Sequence, residues 1–196
     1  MHTLALACLG LMVAGEPFVA KEKSRPLKIE DLYKFARVSD PRISPDGTRL
    51  AWLVWDHPRM PWDGSEVWVG TLSSDGSVSD ARCVAGGPRE SIFQPDWSPD
   101  GNLHFVSDRT GWWNLYRLRG QTIEPLAPMQ AECGTPQWVF GMSTYTFVAP
   151  ERIVCWYGGS KESGLAFLDV NSGEITPIAI PYTSIGSVRG NAEHVV

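Results

Sequence analysis

The sequence predicts an all-β protein made of repeated four-stranded units, with one short helix ahead of them. Three observations carry this reading. The 196 residues include 19 Gly, 15 Pro and 9 Trp, a balance of turn formers and large flat side chains that suits many short strands. From residue 41 onward, short apolar runs follow a period of two, as on half-buried strands. The tetrapeptide Ser44-Pro45-Asp46-Gly47 returns 54 residues later as Ser98-Pro99-Asp100-Gly101, and an apolar run follows each copy.

Residues 1–20 read as a secretory leader. Residues 3–15 (TLALACLGLMVAG) form an apolar run of signal-peptide length, too short to cross a bilayer as a helix. Cleavage after Gly15 leaves Val13 and Gly15 at the two positions where signal peptidase wants small residues. The expected location is therefore periplasmic or extracellular, without a membrane span. Since only His2 and the amino terminus supply positive charge, a cytoplasmic chain, with a start codon placed too early or a buried apolar segment, is the other reading. Residues 21–40 are a linker and a short helix. The linker KEKSRPLK is charged and broken by proline, and in residues 29–38 (IEDLYKFARV) Ile29, Leu32, Tyr33 and Ala36 share one helical face.

Strand signals follow in residues 50–55 (LAWLVW), 66–72 (EVWVGTL), 103–106 (LHFV), 114–118 (NLYRL), 152–156 (RIVCW) and 165–170 (LAFLDV), each bounded by Gly, Pro, Asp or Asn. In the clearest unit the strands are expected at 93–98, 103–107, 113–119 and 122–128. The chemistry of S-P-D-G explains its first turn: Pro presets φ, Asp bonds the local backbone and Gly supplies a left-handed residue. A third unit lacks the tetrapeptide but keeps the order. Thr135-Pro136-Gln137-Trp138 echoes Gln94-Pro95-Asp96-Trp97, and Leu165 stands 50 residues after Leu115. Four-stranded units at such a period are the mark of a β-propeller. The expected architecture is a partial propeller in residues 41–196, with blades at about 41–88, 92–130 and 134–181 and the start of a fourth at 184–196.

Residues 40–55 (DPRISPDGTRLAWLVW), 94–118 (QPDWSPDGNLHFVSDRTGWWNLYRL) and the insert 56–69 (DHPRMPWDGSEVWV) resemble the propeller of the prolyl oligopeptidase family of serine peptidases. The likeness covers about residues 27–196 and is greatest to the dipeptidyl aminopeptidase and acylaminoacyl peptidase branch. It implies a two-domain enzyme, in which a propeller screens substrates by size for an α/β-hydrolase domain carrying Ser, Asp and His. This chain corresponds to part of the propeller alone. Peptide substrates are then met through the hydrolase domain. The S-P-D-G turns also suit TolB-like binding propellers of the cell envelope, and an inactive truncated product is a third reading, in which open blade edges self-associate.

The residues themselves offer no catalytic set. A nucleophile elbow needs G-x-S-x-G, whereas Gly141-Met142-Ser143 is followed by Thr144-Tyr145 and Gly158-Gly159-Ser160 by Lys161-Glu162. His104 stands within a strand and reads as a sheet-face residue. Cys8, Cys83, Cys133 and Cys155 form no C-x-x-C pair, so neither a metal, a cofactor nor a disulfide framework is expected. With a net charge of -5, nucleic acid is not an expected partner. The candidate binding residues stand on two loops. Asp56, His57, Met60, Trp62 and Asp63 belong to the long insert, whose structural alternative is Trp62 packing over a neighbouring blade. Asp108, Arg109, Trp112 and Trp113 form the second tip, where Arg109 could meet a carboxylate or lock the turn with an Asp. Glu162, Asp169 and Glu174 read as solvated.

Overall fold

The computed structural model describes residues 26, 28–139, 141–159, 163–182 and 184–196. The secretory-leader reading of residues 1–20 lies outside them. The predicted helix at 29–38 is a six-residue 3₁₀ helix, Ile29–Lys34, because the chain turns extended at Phe35 and enters the first strand at Arg37. Asp31 secures this turn, accepting hydrogen bonds from the Lys28 backbone N (2.9 Å) and from Lys34 Nζ (3.0 Å).

Twelve strands form three antiparallel four-stranded sheets, each a simple up-and-down meander. The first holds β1 (Arg37–Ile43), β2 (Arg49–Trp55), β3 (Glu66–Leu72) and β4 (Val78–Gly86). The second holds β5 (Ile92–Trp97), β6 (Leu103–Ser107), β7 (Asn114–Arg119) and β8 (Thr122–Pro125). The third holds β9 (Tyr145–Ala149), β10 (Arg152–Gly158), β11 (Ser163–Asp169) and β12 (Ile175–Ile178). β1 thus begins ahead of the expected boundary at 41.

The S-P-D-G copies close the β1–β2 and β5–β6 hairpins. In the first, Asp46 Oδ1 accepts from Ser44 Oγ (2.5 Å) and the Thr48 backbone N (3.1 Å), while Gly47 takes φ +74°. These bonds hold the Asp46 carboxyl down at about 2. Asp100 and Gly101, at φ +83°, repeat the device.

Blade stacking follows from the two-residue period. On β6, Leu103 and Phe105 pack with Ala51, Leu53 and Val67 of the first blade, whereas Val106 packs with Tyr145, Ile153 and Cys155 of the third. All five β6 residues are buried, as expected of a strand sandwiched on both faces. His104 is among them, confirming the sheet-face reading. It lies edge-on to Phe147 at 4.9 Å, and burial pulls its pKa down to about 4.

The third unit departs from its sequence echo. Thr135-Pro136-Gln137-Trp138 lies in the long connector before β9 rather than in a strand, and Trp138 is 72% exposed. The connector instead reaches back, with Gln137 Nε2 donating to the Ile92 carbonyl (2.7 Å). β8 stops short of residue 128 because Asn114 draws the chain into a loop, bonding the Met129 N (2.6 Å) and the Ala131 carbonyl (2.9 Å). In 184–196 a bridge between Gly190 and Val195 closes a turn, and Val188 pairs with Ser143.

Candidate functional site

Alternating meander turns place the S-P-D-G hairpins on one face of the blades. The β2–β3 insert, the β6–β7 tip and the connectors between blades share the other face. Every candidate binding residue therefore lies on that second face.

The insert is fastened to the second blade by two buried serines. Ser65 Oγ accepts from the Ile92 N (2.8 Å) and donates to the Ile92 carbonyl (3.1 Å), and Ser91 Oγ donates to the Pro61 carbonyl (2.9 Å). Within the loop, Asp56 pairs with Arg59, and Asp63 Oδ2 accepts from the Met60 N (2.9 Å). These two carboxylates shape the loop. His57 Nε2 stands 2.7 Å from Arg37 Nη2, and its ring meets Trp55 at 5.9 Å. Trp62 rests against Trp138 with ring centroids 4.3 Å apart, so it packs on the connector between the second and third blades.

Between β1, the insert and that connector lies a cleft of about 210 Å³, lined by Ser39, Asp40, Trp55, Trp62, Gln137 and Trp138 among others. Asp40 precedes Pro41 at a bulge in β1 and adopts φ +48°, an uncommon value for a residue with a side chain. Burial raises its pKa, and Arg42 partly offsets that rise. Gln94 is its counterpart 54 residues on, before Pro95 at φ +46°. There the strained backbone aims an amide at the next blade: Nε2 donates to the Tyr145 carbonyl (2.7 Å), and Oε1 accepts from the Thr144 N (2.7 Å).

At the β6–β7 tip, Arg109 does not lock the turn with an Asp. Its Nε and Nη2 donate to Glu90 Oε1 at 3.0 and 2.8 Å, and its guanidinium lies 5.2 Å from the Tyr116 ring centroid. Asp108 bonds elsewhere, accepting from the Ser91 N (2.7 Å). Trp112 is half-buried at the same tip. Asp169, read as solvated, holds the β11–β12 turn by accepting from the Ser172 N (2.7 Å), while Glu174 is exposed and Glu162 lies outside the described residues.

No family model matches the chain. Uncharacterized peptidase YuxL of Bacillus subtilis is 36% identical over 85 residues, which are 42% of this chain and 12% of that protein. The crystal structure of puromycin hydrolase matches 78% of this chain with 39% identity and a TM-score of 0.73. A puromycin-hydrolyzing peptidase of Mycobacterium tuberculosis matches 81% with 33% identity and a TM-score of 0.75. Prolyl oligopeptidase B of Galerina marginata, 14% identical with a TM-score of 0.57 over 80% of this chain, shares the fold. The chain is a propeller part of the prolyl oligopeptidase family. It spans 23% of puromycin hydrolase and 25% of the mycobacterial peptidase.

Ser143, the serine of one failed elbow, is buried and donates to the Val188 carbonyl (2.6 Å). Burial raises the thiols of Cys133 and Cys155, the latter to about 12, which leaves them poor nucleophiles. Of the sequence candidates, Met60 and Trp62 line the cleft and Asp56 lines an adjoining cavity, with His57 next to it in the chain. Arg109 and Trp112 line neither. Sequence reasoning missed Asp40, Gln137 and Trp138 as site residues. The recurrence of a residue before Pro at 40 and 94 was a signal for the first.

Proposed function

We propose that this segment is the substrate-screening propeller of a serine peptidase that hydrolyses short peptides and aminoacyl amides. The 39% identity to puromycin hydrolase over 78% of this chain carries the reading. Blades packed face to face, and stapled at their inner strands by Gln94, make a rigid screen, while the hydrolase chemistry belongs to another part of such an enzyme. We place the enzyme outside the cytoplasm, on the strength of the apolar run at residues 3–15.

The test uses the protein encoded by the complete gene. Short chromogenic peptides and puromycin are expected to be cleaved, with loss of activity after a serine-directed fluorophosphonate, and large unfolded proteins to be spared. Gln94→Ala should loosen the joint and raise the cleavage of larger substrates relative to short ones. Absence of any amide hydrolysis would overturn the peptidase reading, and equal cleavage of large and small substrates would overturn the screening role.

A further inference from the structure

We propose that the cleft between Asp40, Trp55, Trp62 and Trp138 is a binding site for a small organic ammonium group. The inference goes beyond the peptidase reading and does not depend on it. Three indole rings and one carboxylate line a space of about 210 Å³, below the roughly 300–1,000 Å³ of pockets that enclose a whole drug-sized ligand. The cleft therefore takes a group, not a complete peptide.

The charge of that group follows from Asp40. Among the described residues its carboxylate accepts no hydrogen bond and joins no ion pair, although it is half-buried. Its counterpart Gln94 spends the same strained geometry on a clamp to the next blade. At Asp40 the strain holds an acceptor without a donor, and strain kept without a structural return marks a functional position. The adjacent cation, Arg42, donates through Nε to the Pro95 carbonyl (3.3 Å). An incoming ammonium would supply the missing donor and meet indole faces, which attract cations through their quadrupole. The same chemistry operates next door, where the Arg37 guanidinium lies 5.2 Å from the Trp55 ring centroid.

The test is a titration of the whole chain with tetramethylammonium or n-butylammonium at constant ionic strength, followed through the indole N–H signals in NMR. Neutral tert-butanol serves as the size control. Saturable shifts of the Trp62 and Trp138 signals are expected with the ammonium ions only. Asp40→Asn should weaken binding about tenfold, as loss of a charged partner does. Trp138→Ala, at a largely exposed position, should weaken it about fivefold through the lost ring. An equal response to tert-butanol, an unchanged affinity in Asp40→Asn, or no saturable shift would overturn the proposal.

Discussion

Gln94→Ala isolates the staple between the second and third blades. Gln94 is 2% exposed, and its amide satisfies the Thr144 N and the Tyr145 carbonyl at 2.7 Å each. Alanine leaves the Thr144 N without a partner in the interior, where such a group costs about 1–3 kcal/mol, and leaves the Tyr145 carbonyl only the longer bond from Ser143 Oγ (3.2 Å). The expected loss is therefore about 2–4 kcal/mol once the cavity left by the side chain is included. Asp40→Ala is the internal control, because it shares the register and the left-handed backbone but removes no hydrogen bond. Its expected cost is below about 0.5 kcal/mol, as for substitutions that break no named interaction. Urea denaturation reads both. With a slope of about 1–3 kcal/mol per molar, Gln94→Ala should lower the midpoint by about 1 M or more, and Asp40→Ala should leave it nearly in place. Equal shifts in the two variants, or no shift in Gln94→Ala, would refute the staple.

His104 makes stability depend on pH. Its folded pKa, about 4, lies below the ordinary 6.5, so the unfolded chain takes up the proton first, and stability declines as pH falls from 6.5 to 4. His104→Gln should flatten that decline in denaturation curves taken across this window. A double-mutant cycle on Glu90→Gln and Arg109→Met, both partly buried, should give a coupling of about 1 kcal/mol, the upper end for such pairs. An added Cβ at Gly47 meets nothing within 4 Å, whereas at Gly86 it comes 2.1 Å from the Ser65 carbonyl oxygen. Gly47→Ala should therefore cost about 1 kcal/mol from its left-handed φ alone. Gly86→Ala should cost clearly more, and thermal melts of the two variants check the order.

Much of the blade architecture was legible because its determinants are local. The S-P-D-G turns carry their own hydrogen bonds, and runs such as LAWLVW show their period directly. β9 was harder to see. Only five residues long, it follows a long connector whose Thr135-Pro136-Gln137-Trp138 mimics the first strand of the second blade. The site was less legible still, because its parts come together only through blade stacking. Trp62 and Trp138 are 76 residues apart in the chain yet 4.3 Å apart as rings. Likewise, Arg109 finds Glu90 across 19 residues, where a local reading pairs it with a turn Asp.

The most direct test of the peptidase reading is the nucleotide sequence of the gene and its transcript beyond the codon for Val196. Further four-stranded units leading into G-x-S-x-G, with a later Asp and His, are the predicted result. A stop codon at that point, or a continuation without a hydrolase pattern, would contradict it.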